Sequence, residues 1–151
     1  MFSIRFSNSR GEAQEPDVAF GRIVAGDLDE TFESPVHYWG EASYRSSWRD
    51  ELSRILCGAD KAVLWTVVVD PSKANWLRGY TLYRFDADIR VQERLFIIDE
   101  FQSKLDLDNP SQVLPSYESV NEDGVRISEW SISPEHVREF IEAEYGGAPS
   151  C

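Results

Sequence analysis

The side chains that could do chemistry in this 151-residue chain are mostly carboxylates. Asp99 and Glu100 are adjacent, and together with Glu129 they could act as acid and base groups or hold a divalent metal ion. Asp106 and Asp108 alternate like the start of a calcium loop, but no glycine or glutamate follows at the spacing that an EF-hand needs. These residues leave open a small carboxylate-based, metal-dependent enzyme or ligand-binding domain.

Other common signatures of catalysis are missing from the sequence. His37 and His136 stand alone, and Cys57 and Cys151 lack the spacing of a zinc site. There is no glycine-rich phosphate loop, no nucleophile elbow and no His-Glu-x-x-His motif. We expect Cys57 on the buried side of a helix and Cys151 as a free thiol. The sequence therefore predicts no cofactor and no metal, and it favours a protein that is not an enzyme.

The charge of the chain is strongly negative, with 27 acidic residues against 15 Lys and Arg and a net charge of −12. Residues 99–151 hold twelve of the acids and three of the bases. Such a surface repels phosphate groups, so direct binding to nucleic acid or to an anionic membrane is not expected, and a cationic partner is favoured. No apolar run approaches a membrane span or a signal peptide, which predicts a cytoplasmic protein.

The acidic residues of the irregular segment 99–123 could mimic a phosphate chain and fill a cationic cleft. Their alternative role, as a device for solubility, stays open. Trp76 lies at a loop-to-strand junction, where an exposed aromatic could anchor an interface. The candidate partner-binding residues are Asp99, Glu100, Asp106, Asp108, Glu118, Glu122, Asp123 and Trp76.

The elements that must position these side chains are predicted from hydropathy period. Alternation of apolar and polar residues indicates strands, and a continuous β-branched run at 62–69 indicates a central strand covered on both faces. Strand material is predicted at 1–8, 18–32, 62–69, 76–85, 89–98 and 125–132. The prediction is a single α+β domain, residues 1–151, built on a mostly antiparallel sheet.

Two helices are predicted from apolar residues at three- and four-residue steps. The first spans about 44–58, with Ser43 as its N-cap and Gly58 at its end. The second spans about 134–145, with Ser133 as the cap before Pro134.

Aromatic and turn residues follow one another in a characteristic order: Gly21, Arg22, Ile23, Gly26, Asp27, Phe32, Tyr38, Trp39, Tyr44, Trp48, Leu52, Leu82, Tyr83, Arg84, Glu122, Asp123, Gly124, Ile127, Ser128, Glu129 and Trp130. Over about residues 1–131 this order resembles the immunity proteins of bacterial contact-dependent growth inhibition systems. The C-terminal helix and tail, 132–151, lie outside the resemblance.

The resemblance implies a cytoplasmic protein that binds the toxic C-terminal domain of a cognate surface effector, commonly a nuclease. Such a protein would neutralise the toxin without doing chemistry. We expect this chain to do so by occluding the toxin's active site or substrate groove with an acidic surface. The partner would then be a cationic protein, and the chain itself could be a monomer or a homodimer.

Overall fold

The computed structural model of the chain describes residues 1–7, 17–101, 105–147 and 149. Its strands form two antiparallel sheets, one in the order β1-β2-β3 and one in the order β4-β5-β6-β7. The strands are β1 (Phe2–Phe6), β2 (Val18–Ala25), β3 (Leu28–Pro35), β4 (Lys61–Val67), β5 (Trp76–Phe85), β6 (Asp88–Ile97) and β7 (Trp130–Ile132). Helix α1 (Glu41–Leu56) separates the sheets in sequence, and α2 (Pro134–Tyr145) follows β7. The predicted α+β class is confirmed.

The first sheet follows the alternation of its sequence. Phe2, Ile4 and Ile23 point to the core and are almost fully buried, while Arg5 and Arg22 lie exposed on the opposite face. The core side is shared with the second sheet and both helices, because one continuous cluster of buried apolar residues joins all of them.

The turn between β2 and β3 requires its glycine. Gly26 has a φ of +62°, a conformation that side chains with a Cβ rarely adopt. A Cβ at this position would also lie 2.6 Å from the backbone oxygen of Ser131, the middle residue of β7. The predicted turn at Gly26 and Asp27 therefore also sets how closely the two sheets approach.

Strand β4 is not the central strand that its sequence predicts, because it lies at the edge of the second sheet. Six of its seven residues are nevertheless buried. Helix α1 covers the edge of β4 that would otherwise face solvent. Strand β4 can therefore be as apolar as a central strand although it lies at the edge of the sheet.

Three side chains of α1, spaced four and three residues apart, bond to the free backbone edge of this strand and the residue after it. The bonds run from Val68 N to Tyr44 Oη (2.9 Å), from Trp48 Nε1 to Trp65 O (2.7 Å) and from Val63 N to Glu51 Oε1 (3.2 Å). We call these three side chains and the backbone they contact the α1–β4 seam. The seam satisfies polar groups that an uncovered edge strand would leave to water.

Helix α2 begins and ends as predicted. The Ser133 side chain accepts a hydrogen bond from the His136 backbone, and Gly146 ends the helix in the left-handed conformation. Phe140 packs edge-on against Phe2 of β1, with ring centroids 5.4 Å apart, so α2 packs against the first sheet. No helix among the described residues is long and apolar enough to cross a membrane.

The bounds of α1 differ from the prediction. The helix begins at Glu41 after Gly40, without a side-chain cap, so Ser43 is not the N-cap. It ends at Leu56, two residues before the predicted end. The apolar stripe is visible only once the helix reaches Tyr44, which is why the first turn escaped the pattern.

The expectation for Cys57 is also wrong. This residue is exposed at the C-cap of α1 and is disulfide-bonded, not a buried thiol. Cys151 lies outside the described residues.

The strand predicted at 125–132 is mostly irregular. Only its last three residues form β7, which pairs with residues 89–91 of β6. Further upstream, Arg126 makes an isolated bridge with Val120. The rest of this segment, although its sequence alternates like a strand, forms a loop whose side chains are largely exposed.

Candidate interaction surface

The predicted partner-binding residues do not form one cluster in the structure but lie on separate segments. Asp99 follows the end of β6, where its carboxylate accepts a hydrogen bond from Asn75 at 3.2 Å. Asp106 and Asp108 lie on the segment that comes after it, and both are exposed. The remaining acids, Glu118, Glu122 and Asp123, lie on a loop that precedes β7. The side chain of Glu100 lies outside the described part of the structure.

The segment that carries Asp106 and Asp108 is anchored by the leucines that alternate with them. Leu105 and Leu107 are half-buried and pack against the core, so the two aspartates between and after them are left in solvent. Asp106 Oδ1 accepts a hydrogen bond from the backbone N–H of Asp108 at 3.0 Å.

Helix α1 holds the same segment from the other side. Arg54 donates to the side-chain oxygen of Asn109 and to the backbone oxygen of Asp108, each at 2.9 Å. The guanidinium also lies 2.9 Å from Glu51 Oε2. One arginine therefore joins the buried end of the seam to the exposed aspartates.

A groove lies beside these aspartates. It consists of two pockets, of about 740 and 310 Å³, that share Trp39 and Asp108. We call it the Trp39 groove. The residues that matter for its chemistry are Tyr38, Trp39, Asp50, Glu51, Asp106 and Asp108.

The second acidic place is a short loop, residues 118–126, which we call the acidic loop. Its two sides are joined by backbone hydrogen bonds from Asn121 N to Val125 O (2.8 Å) and, at its base, from Ile127 N to Ser119 O (2.9 Å). The Asn121 side chain accepts bonds from two backbone N–H groups of the tip, and Gly124 supplies the positive φ of +78°. The turn is therefore fixed by its own hydrogen bonds.

Every residue of the acidic loop is exposed, including two apolar ones. Val120 and Val125 are 47% and 59% exposed and flank the carboxylates of Glu122 and Asp123. The base of the loop is fixed to β6, because Gln92 Nε2 donates to the backbone oxygen of Glu118 at 2.9 Å. The loop thus presents three carboxylates, those of Glu118, Glu122 and Asp123, on an ordered backbone.

Glu129 has a structural role beneath this loop. Its Oε1 accepts hydrogen bonds from the Tyr117 hydroxyl at 2.7 Å and from Gln92 Nε2 at 3.2 Å. Its Oε2 lies 3.6 Å from Arg90, whose guanidinium also bonds Tyr117. Hydrogen bonding to Tyr117 and to Asp88 raises the pKa of Arg90. This network joins the loop to β6.

The carboxylates of the catalytic alternative are not brought together. Glu129 contacts Gln92, whereas Asp99 follows the strand end at Ile97, five residues further along β6, or about 16 Å at the usual rise per residue. Within the described residues, no group of three or more His, Cys, Asp or Glu could hold a metal ion. Among the described side chains, which exclude that of Glu100, the geometry brings no such site together.

Trp76 lies in a different groove from the aspartates. It is 39% exposed and lines a groove of about 1220 Å³ together with Phe20, Arg22 and Arg78. We call this the sheet-face groove, because Phe20 and Arg22 stand on the outer face of the first sheet. Arg22 is bound to Asp29, and this hydrogen bond lowers the pKa of the Asp29 carboxyl.

Sequence reasoning missed both grooves as surfaces. The alternation of β2 already places Phe20 and Arg22 on its wet face, so part of the sheet-face groove was visible in the pattern. The Trp39 groove was not, because Trp39 and Asp108 meet only through packing between segments far apart in sequence.

Comparison with known proteins gives one consistent result. Residues 34–140 match the family model of the CdiI N-terminal domain. The immunity protein CdiI of Enterobacter cloacae subsp. cloacae is 27% identical over 130 residues, which is 86% of each chain. A chain in the solved structure of the CdiA-CT/CdiI toxin and immunity complex from Enterobacter cloacae is 26% identical, with a TM-score of 0.84 over 97% of this chain and 100% of that one.

Proposed function

The chain belongs to the CdiI family of immunity proteins, and we propose that it binds and neutralises the toxin domain of its cognate CdiA protein in the cytoplasm. The resemblance to immunity proteins of contact-dependent growth inhibition is thereby confirmed. The observation that carries the proposal is the fold match, over nearly the whole chain, with a protein taken from a toxin and immunity complex.

We further propose that the toxin is a cationic nuclease and that the chain inhibits it by occupying its active site or substrate groove, without doing chemistry. A nuclease must attract a polyanion, and this chain carries a net charge of −12. Its exposed carboxylates at Asp106, Asp108, Glu122 and Asp123 are fixed on ordered backbone, which lowers the entropy lost on binding.

The proposed contact surface comprises the two acidic places described above. Asp99, Asp106 and Asp108 form one part, and the acidic loop, which includes Glu118, forms the other. Trp76 is proposed as a separate contact, in the sheet-face groove. Self-association into a homodimer stays a prediction that sedimentation of the purified chain would test.

The proposal is tested with the C-terminal domain of the cognate CdiA protein. We expect cells that produce this domain to survive only when they also produce the chain, and the two purified proteins to form a stable complex. A non-cognate toxin domain is the control for both measurements. Cell death despite equal expression of the chain, together with no complex in solution, would contradict the proposal.

Inhibition by occupation is tested by competition. If the toxin domain degrades nucleic acid, an inactivated variant of it should bind either the nucleic acid or this chain, but not both. A ternary complex would show that the chain binds away from the substrate groove.

A further inference from the structure

We propose that the Trp39 groove receives an arginine side chain of the toxin domain. This inference rests on the proposed function and adds to it one site and the chemistry of the group that the site takes. Three features of the groove support it: its charge, a buried carboxylate oxygen in its floor, and its aromatic wall.

The charge of the groove favours a cation. Four carboxyl groups line it, those of Asp50, Glu51, Asp106 and Asp108, whereas none of its described lining residues is Lys, Arg or His. Arg49 lies 3.3 Å from Asp50, and Arg54 lies 2.9 Å from Glu51, both outside the lining. The negative charge left over belongs to Asp106 and Asp108, whose side chains have no ion-pair partner within the described residues.

The floor of the groove contains a buried carboxyl oxygen that accepts no hydrogen bond within the part of the chain that the structure describes. Glu51 is 2% exposed, and its Oε1 is used by the Val63 backbone N–H. Its Oε2 forms an ion pair with the Arg54 guanidinium at 2.9 Å and accepts no hydrogen bond among the described residues. A buried carboxylate oxygen of this kind favours an additional donor.

The aromatic wall selects the shape of the cation. Tyr38 is 45% exposed, and Trp39 is held in place edge-on against Tyr44, with ring centroids 5.4 Å apart. A guanidinium stacks on such faces and can pair with carboxylates through two parallel hydrogen bonds. Leu105 and Leu107 supply apolar surface for the methylene stem. Arginine fits these features better than lysine, whose ammonium is compact and strongly hydrated.

The test measures the dissociation constant of the toxin domain for matched variants of this chain. The double change Asp106→Asn and Asp108→Asn, which keeps the Asp106 side-chain oxygen that fixes the turn, should weaken binding about tenfold. Tyr38→Leu should weaken it about two- to fivefold, whereas Tyr38→Phe, which keeps the ring, should bind like the unchanged chain. The control is the double change Glu139→Gln and Glu142→Gln on the exposed side of α2, which should have no effect.

A second arm identifies the group on the toxin. Each exposed arginine of the toxin domain is changed singly to Gln or Lys, and each exposed lysine to Gln. Each of these changes is then combined with the Asp106 and Asp108 changes. Changing one of these arginines should weaken binding as much as the Asp106 and Asp108 changes do. Combining the two should weaken binding no further, because both changes remove the same contact. Changing that arginine to Lys should restore only part of the binding.

Two results would overturn the inference while leaving the proposed function intact. Either the unchanged chain binds the toxin tightly and the groove variants bind equally well, or the coupled residue proves to be a lysine. If instead the unchanged chain does not bind the toxin domain at all, the proposed function itself fails.

Discussion

The α1–β4 seam and the acidic loop both join side chains to backbone groups, but they use those bonds for different ends. In the seam, Tyr44, Trp48 and Glu51 are buried, and each bonds a backbone atom of another element. In the acidic loop, the Asn121 side chain bonds the loop's own backbone, and the carboxylates stay in solvent. The seam supports the fold, and the loop supports a surface.

The difference teaches that stability and binding can be changed separately in this protein. A buried polar group that loses its partner costs about 1–3 kcal/mol, whereas changes to exposed side chains usually stay within about 0.5 kcal/mol. Substitutions in the seam should therefore lower the free energy of unfolding, and substitutions in the acidic loop should alter the association with the toxin alone.

The largest effect is expected for Trp48→Ala. This side chain is fully buried, packs on Phe6 with centroids 4.9 Å apart, and donates to the Trp65 carbonyl. Its loss should lower the free energy of unfolding by about 3–5 kcal/mol, measured by urea denaturation. If folding stayed intact while toxin binding was abolished, Trp48 would be an interface residue and the seam would be misassigned.

A smaller effect is expected for Glu51→Ala, which leaves the Val63 N–H without its acceptor. The free energy of unfolding should fall by about 1–3 kcal/mol, whereas Glu51→Gln keeps an acceptor and should lose less. Urea denaturation of the unchanged chain and of both variants measures which of them loses more free energy of unfolding. Equal losses for the two variants would show that the hydrogen bond is not what Glu51 contributes.

The same residue predicts a dependence on pH. Burial raises the pKa of the Glu51 carboxyl above its ordinary value of 4.5. The folded protein then holds a proton that the unfolded chain releases, so the stability that this proton contributes is present below about pH 4 and is lost as the pH rises through the folded pKa. Relative to Glu51→Gln, the unchanged chain should become less stable between pH 4 and pH 7. An opposite slope would mean that Arg54 outweighs the burial.

Reversal of exposed charges should leave stability unchanged and slow binding. Changing Asp106, Asp108, Glu122 and Asp123 to Lys should reduce the association rate with the toxin domain by about a decade or more at low ionic strength. The unfolding midpoint should move little, because exposed charges contribute little to stability. The same variant should permit toxin activity in cells that produce both proteins. A large fall in the unfolding midpoint would show that these side chains support the fold.

The smallest effect is expected on the outer side of α2. Glu139→Gln and Glu142→Gln should each change the free energy of unfolding by less than about 0.5 kcal/mol and leave the association rate unaltered. Together they remove as much negative charge as Asp106→Asn and Asp108→Asn together, so they separate a local contact from a general loss of negative charge. A slower association with these variants would favour the general explanation.

The fold was largely predictable because its periodic segments are long. The alternation in β1 and β2 and the three- and four-residue steps of α1 and α2 follow directly from which side of each element is buried. The edge position of β4 was not predictable, since a strand covered by helix side chains has the same composition as one covered by neighbouring strands.

Of the candidate surface, only the concentration of negative charge was predictable from the sequence. The sequence indicates that carboxylates gather in residues 99–123, but it does not tell which of them meet other segments. Glu129 lies on the predicted strand, and its partners come from Tyr117, Gln92 and Arg90, on two other segments. Such contacts depend on tertiary packing, which hydropathy patterns do not encode.

The dependence of toxin association on salt tests the central claim most directly. The acidic surface is proposed to attract a cationic groove through long-range electrostatic forces. Salt shortens the screening length of these forces several-fold between ~50 and ~500 mM. Stopped-flow measurements should show the association rate falling by about a decade or more over this interval, while the dissociation rate changes much less. An association rate that is the same at both concentrations would mean that the interface is mainly apolar and that the acidic residues serve solubility.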